Sequence, residues 1–407
     1  MSTPANERTG TPLALRLVEL GEELRRWRPL WSAFAFREPV LPWESALPDL
    51  ASRLRAMDAE RIAILTEDPV ALDAFLGDWF PVDRWCALEA VDPAPQGVLR
   101  PWPRGFARDV PGRKWDQVRA FCSAVERGPE GMLVDWCAGK AHLGRALAFQ
   151  WQRQDVLALE KNPVLACAAQ DLALRHGLSL RAEHCDVMQS GVCDAIEGAA
   201  HVVALHACGV LHRRLLDVCI ARGVHAVSCV PCCFHLGAGG HLPRSISARS
   251  ANPGLTPADL RTAVQEVVTA GGHARRRRER LQAWQLGCDA LLREQGGRSA
   301  YTPMPSAAAE VLSGDFAGYC RHAAVLKGIG LPSAVDYTLW ERRGQARFRE
   351  VAALDLLRRR FRRLIELWLV VDLGVWLEEA GYHVHLETFC SASLSPRNLL
   401  LQARLDA

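Results

Sequence analysis

No apolar run in this 407-residue chain approaches the length of about 18 residues that a membrane-crossing helix needs. Its first residues, MSTPANERTG, lack the basic and apolar stretches of an export signal. A membrane protein and an exported disulfide scaffold are therefore not expected, and the sequence reads as cytoplasmic. Lysine is scarce: four (Lys114, Lys140, Lys161, Lys327) stand against 45 arginines, a skew that speaks of genome composition more than of guanidinium chemistry. A charge excess is missing too, since 49 basic and 46 acidic residues leave a net +3, which singles out neither nucleic acid nor a membrane as partner. No internal repeat marks a solenoid.

What is present is ordinary globular composition, 49% hydrophobic and 23% charged, in a chain long enough for two or three domains. Residues 1–108 read as a mostly helical accessory domain, with apolar residues at helical spacing in LALRLVELGEELRRW and LPDLASRLRAM. Pro93, Pro95, Pro101 and Pro103 mark an extended connection at its end. From 109 to 236 a helix, RKWDQVRAFCSAV, leads into alternating units: GMLVDWCAG, HLGRALAFQWQ, DVLALEKN, PVLACAAQDLALRHG, LSLRAEHCD, HVVALHACG, VLHRRLLDVCIARG and VHAVSCVPCC. That alternation predicts an α/β fold with a parallel, Rossmann-like sheet covered on both faces by helices. From 237 to 365 the rhythm stops; this segment holds 21 basic and 11 acidic residues, a net +10, against −7 for the remainder. Its runs ARRRRER and LLRRRFRRLIEL read either as a solvated helix face or as a surface for an anionic substrate. Residues 366–407 give a helix closed by Gly381 and two strands joined by a turn at Leu394–Arg397, a reversed pair added to the sheet.

Ligands of open parallel sheets bind outside the carboxyl ends of the strands, so those ends are read for chemistry. The first gives Asp135, Cys137, Gly139 and His142 in DWCAGKAH, a turn with one glycine where a dinucleotide fingerprint has three. The second ends at Glu160, placed to accept ribose hydroxyls, and the third leads to Asp186, placed to accept an adenine amino group. A phosphate would meet repulsion from Asp135, so a phosphate-free sulfonium nucleoside fits better, which points to S-adenosyl-L-methionine.

The strings VDWCAGKAHLG, ALEKN, ALHACG and VPCCFH, with SPRNLLLQ near the end, resemble the class I methyltransferase domain at the C-terminus of glutathione S-transferase C-terminal-domain-containing proteins. The resemblance runs from about Arg113 to the last strand and leaves the first hundred residues uncovered. It implies methyl transfer, and it implies that Lys114 and Gln117 hold the methionine carboxylate beside the turn residues, with Glu160 on the ribose. His206 also lies within the expected cofactor set. Ala141 stands where the family has glycine, and its methyl group is expected to narrow the cofactor's approach.

The fourth and fifth strands end in His206-Ala207-Cys208-Gly209 and in Cys229-Val230-Pro231-Cys232-Cys233-Phe234-His235. Three readings stand. His206, Cys208, Cys232, Cys233 and His235 could line an acceptor pocket, with a histidine as general base; the cysteines and histidines could hold zinc; or they could be packing. The paired knuckles of familiar zinc sites are missing, so no metal is expected. RNA is the favoured acceptor class, because related His-x-Cys-Gly methyltransferases act on RNA and the basic segment agrees. A non-catalytic S-adenosylmethionine- or RNA-binding protein is the rival. Acceptor and oligomeric state cannot be read from the residues.

Overall fold

The computed structural model describes residues 11–108, 110–237, 242–264, 272–295, 301–306 and 309–406. Small parts of the basic segment thus lie outside the described residues. The rest divides into two compact units: one of residues 1–26, 83–265 and 363–407, the other of Trp27–Val82 with Glu266–Arg362.

The first unit is built on seven strands: β1 Met132–Trp136, β2 Val156–Glu160, β3 Leu180–His184, β4 Ala199–Cys208, β5 Ala226–Cys232, β6 Tyr382–Thr388 and β7 Leu399–Leu405. Their order is β3-β2-β1-β4-β5-β7-β6. The first five run parallel, and β7 lies antiparallel between β5 and β6. This is the α/β sheet with a reversed terminal pair that the residue pattern predicts. Leu133, Val134, Leu157, Leu159, Val202 and Val203 are buried, as a sheet covered on both faces requires. Strand order reverses between β1 and β4, and ligands of open parallel sheets bind outside the carboxyl ends of the strands at such a point.

Local chemistry explains the helices between the strands. Asn162 caps Pro163–Arg175 by accepting from the Val164 and Leu165 amides, with Pro163 at the first helical position, where no donor is lost. Gly223, in the left-handed conformation, closes Val210–Arg222.

The proline-rich connection is part of this unit. Ala94 donates to the Thr388 carbonyl and Thr388 to that of Asp92, both at 2.9 Å, so the segment runs along the sheet edge. Trp102, between two of the prolines, packs on Trp115 and Phe149 with ring centroids 4.8 and 5.6 Å apart. The helix Pro12–Arg26 belongs here too; Arg16 donates to the carbonyls of Leu88 and Ala90 at 2.6 and 2.7 Å.

The second unit is helical and draws on both the N-terminal segment and the basic one. Its long helices, Gly272–Glu294 and Tyr337–Arg360, meet backbone to backbone at Gly287 and Gly344. A Cβ on Gly344 would lie 2.4 Å from the Ala283 carbonyl oxygen. The two arginine runs differ in what they face. Arg276, Arg277 and Arg278 are exposed, whereas Arg275 pairs with Glu67 and Glu279 at 2.6 and 3.1 Å. Arg358 and Arg360 are only 3% and 7% exposed. Arg358 lies 3.8 Å over the Phe34 ring and donates to the Trp31 carbonyl, while Arg360 pairs with Asp73. The reading of the second run as surface is therefore corrected: long arginine stems bury well once their heads are paired. No helix among the described residues is long and apolar enough to cross a membrane.

Candidate functional site

The site lies in the first unit, at the carboxyl ends of its parallel strands. Among the described residues, five other than glycine have positive φ, and four of them are here: Cys137 (57°), Ala141 (52°), His206 (75°) and Cys233 (50°). Such conformations are costly for L-residues and concentrate where a binding surface demands them.

At the end of β1, Asp135 is buried and accepts from the Gly144 amide at 2.7 Å. The two fit only because residue 144 is glycine, since a Cβ there would sit 2.9 Å from the carboxylate oxygen. Burial pushes the Asp135 carboxyl up to about 7, against the opposing pull of the Gly144 hydrogen bond and the Lys114 charge. Gly139, at φ +60°, donates its amide to Glu160 Oε2 at 2.8 Å, and the Asn162 amide donates to Oε1 at 2.8 Å. Glu160 is thereby fixed at the end of β2 with lone pairs to spare. A Cβ on Gly139 would meet nothing within 4 Å, so the turn leaves open space beside that carboxylate. Burial and the Glu160 and Asp135 charges push the Cys137 thiol up to about 12, which keeps it protonated.

The turns after β4 and β5 are stitched together. Gly209 donates to the Cys232 carbonyl at 2.9 Å, Val210 to that of Leu236 at 3.1 Å, and Leu236 to that of Cys233 at 2.9 Å. A register shift in β4 between Leu205 and Cys208 swings His206 out of the ladder. Its Nε2 lies 2.8 Å from Gln117 Oε1, and Gln117 Nε2 donates to the Leu394 carbonyl at 3.3 Å. The Leu394 bond fixes which way the amide points, so His206 Nε2 carries the proton and Nδ1 is left as an acceptor. Burial, then the nearby Lys114 charge, holds the imidazole below its usual range, so it is neutral at physiological pH.

Cys208 and Cys232 are register partners, with their Sγ atoms 3.4 Å apart, and Cys233 Sγ joins them so that all three lie within 4.8 Å of one another. Hydrogen bonds from the Cys208 and Cys232 thiols hold Cys233 well below the ordinary thiol range, with Arg397 and His235 adding positive charge.

Three of the expected cofactor residues have partners within the chain. Gln117 is committed to His206 rather than left for a carboxylate. His142 is buried, its Nδ1 2.8 Å from an Arg145 Nη. Asp186 is ion-paired with Lys161 at 2.8 Å and accepts from the Met188 amide at 3.1 Å, which holds its carboxyl low. His235 flanks the thiols, with its Nδ1 making no hydrogen bond. Lys114 is exposed on the helix Gly112–Ala124. Sequence reasoning missed Gly144 and Arg397. Arg397 donates to the Val264 carbonyl at 2.6 Å and acts on His206, Cys208 and Cys233; its signal was the cation inside the SPRN turn.

Residues 113–238 match the family model described as a methyltransferase domain, a span that takes in β1 to β5 and their turns. Among curated proteins, the chain is similar to the glutathione S-transferase C-terminal domain-containing protein of Xenopus laevis, 32% identical over 126 residues, which are 30% of this chain and 19% of that protein. It is also similar to the Drosophila melanogaster homolog, 28% identical over 124 residues, 30% of this chain and 20% of that protein. The match thus spans about a fifth of the length of these relatives. Solved structures show slight likeness: M. capricolum TrmK with S-adenosyl-homocysteine (TM-score 0.23, 13% identity, 28% of this chain and 50% of that one) and a coclaurine N-methyltransferase bound to N-methylheliamine and S-adenosyl-homocysteine (TM-score 0.23, 12% identity, 53% and 62%).

Proposed function

We propose that this protein is a methyltransferase that uses S-adenosyl-L-methionine. The observation that carries the reading is Glu160, clamped by the Gly139 and Asn162 amides beside the open space of the β1 turn, within the segment that matches a methyltransferase domain. The fit is chemical. A carboxylate with free lone pairs suits vicinal ribose hydroxyls, and a neighbouring positive charge would favour the ionised form of the buried Asp135 carboxyl. When bound, the cofactor supplies a methyl group on a sulfonium centre, open to in-line attack by an acceptor.

The chain's own residues orient the partners and handle one proton. Glu160 would hold the nucleoside end, with the Gly139 and Asn162 amides keeping its carboxylate in place. His206 is neutral and presents Nδ1, so it can take a proton from a hydroxyl or amine acceptor, while Gln117 keeps the tautomer. Cys208, Cys232, Cys233 and His235 line the acceptor side. RNA is the acceptor we favour, supported by the +10 of residues 237–365 and by the exposed Arg276, Arg277 and Arg278. The fourteen cysteines are all free thiols, which supports a reducing, cytoplasmic setting.

Calorimetry with S-adenosylhomocysteine tests the reading. Glu160→Ala should weaken binding about 10- to 150-fold, as loss of charge-assisted hydrogen bonds costs. His206→Ala should leave that affinity within a few-fold while turnover on the RNA fraction falls by about 10² or more. Unchanged affinity in a folded Glu160→Ala protein removes the cofactor assignment. Binding without turnover on RNA, protein and metabolite pools moves the reading to a non-catalytic binder.

A further inference from the structure

We propose that Cys208, Cys232 and Cys233 bind one zinc ion at the carboxyl ends of β4 and β5. This goes against the expectation from sequence, which found no paired knuckles and so no metal. The three ligands come instead from the last residue of β5, Cys232, the residue after it, Cys233, and the register partner of Cys232 on β4, a pattern that spacing along the chain does not display.

The geometry is that of a tetrahedral thiolate site. Zinc–sulfur bonds of about 2.3 Å at tetrahedral angles place sulfurs about 3.8 Å apart. The Cys208 and Cys232 sulfurs are 3.4 Å apart and all three lie within 4.8 Å of one another, so small side-chain shifts bring them to that spacing. A packing role accounts for the burial of a thiol such as Cys122, which sits among apolar neighbours, but not for the convergence of three. The turns that carry the thiols are already fixed, by the Gly209 and Leu236 backbone bonds and by Cys233 at φ 50°, so little ordering remains to be done on metal binding. Arg397 is close enough to offset the net negative charge of a tris-thiolate zinc centre.

Among the described residues no fourth histidine, cysteine or carboxylate joins the group, and Cys208 and Cys233 are only half-buried. The fourth position is therefore left to a solvent or substrate atom, the arrangement of catalytic rather than structural zinc.

The test uses the full chain, purified without chelator. Elemental analysis should find one zinc per chain. Cobalt(II) added to metal-stripped protein should give the thiolate-to-cobalt charge-transfer absorption of a tetrahedral site. Cys208→Ser, Cys232→Ser and Cys233→Ser should each weaken zinc binding by on the order of 10² to 10³-fold, a quarter or so of the binding free energy of thiolate zinc sites. Cys167→Ser, on an exposed cysteine, should change nothing. S-adenosylhomocysteine binding by the same variants reports whether the fold survives, and it keeps this result separate from the cofactor reading. Protein with neither zinc nor a cobalt charge-transfer band overturns the proposal. So does stoichiometric zinc retained by all three serine variants, or a Cys208–Cys232 disulfide in protein handled under reductant.

Discussion

Asp135 in the sheet unit and Asp289 in the helical unit are buried to nearly the same degree, 2% and 0% exposed, yet they are treated differently. Asp289 has Arg293 at 2.8 Å one turn along its helix and accepts from the Thr302 amide at 2.7 Å. Asp135 accepts from the Gly144 amide and has no ion pair among the described residues. Burial raises both carboxyls, but only Asp289 has a guanidinium to offset it. The same contrast holds around them. The helical unit settles its charges internally, as in Arg360–Asp73, Arg343–Glu294 and Arg347–Glu350. The sheet unit leaves Asp135, His206 and a thiol cluster at its strand ends without such partners. Uncompensated groups of this kind persist where a ligand is meant to complete them, which is why the sheet unit is where chemistry is to be sought.

Glycine substitutions offer the sharpest way to break the comparison. Gly209 has φ +59°, and a Cβ on it would lie 2.0 Å from the Leu236 carbonyl oxygen, so Gly209→Ala combines a clash with backbone strain. Gly344→Ala forces a methyl between two helix backbones. Each should cost about 3–5 kcal/mol in the unit that carries it. Scanning calorimetry should show one unit weakened in each variant. S-adenosylhomocysteine affinity should fall in Gly209→Ala and stay within a few-fold in Gly344→Ala. Equal loss of binding in both would remove the assignment of the binding site to the sheet unit.

The next test is the Asp135 carboxyl itself. Burial lifts it from the ordinary aspartate value of about 3.9 up to about 7. The folded state therefore holds a proton that the unfolded state has released, and stability falls as pH rises from about 4 to about 7, then levels. Between pH 5 and 7 this is worth about 2 kcal/mol, read as the difference between wild type and Asp135→Asn in denaturant melts. Parallel curves for the two proteins would show that Asp135 is compensated, as Asp289 is.

On the helical side, Arg276, Arg277 and Arg278 are exposed side by side on one helix. If they contact single-stranded RNA, replacing Arg276, Arg277 and Arg278 by Ser removes about three contacts and flattens the salt slope by about 2. Over the range from about 50 to 200 mM salt the wild type should then lose about 20-fold more affinity than the variant. Equal slopes in filter binding leave the helical unit without a role in RNA contact.

The sheet was legible because each strand is a short apolar run that ends in a polar or glycine-bearing turn, and the acids at 135, 160 and 186 could be placed by that rhythm alone. What escaped the sequence joins distant residues. The His206–Gln117 bond spans 89 positions, and it gives Gln117 a role that no local pattern signals. Arg358 and Arg360 sit in a run that reads as solvated, and their burial depends on Phe34 and Asp73, nearly three hundred residues earlier or more. The prolines at 93–103 do break helices, but the tryptophan among them turns the break into packing rather than a linker.

Ala141 offers the smallest and most discriminating change. The family resemblance has glycine there, and the methyl group was expected to crowd the cofactor. In the structure Ala141 is fully buried in the core cluster beside Leu143 and Ala146, so its methyl points away from the open space next to Gly139. Its φ of 52° costs about 1–2 kcal/mol for an alanine, and loss of one buried methyl costs about 0.8 kcal/mol. Ala141→Gly should therefore stabilise the protein by about 0.5 kcal/mol and raise the melting temperature by about 1–2 °C. S-adenosylhomocysteine affinity should change less than about twofold, since no atom is removed from the binding side. A gain of tenfold or more would place that methyl against the cofactor and require the β1 turn to open differently when loaded.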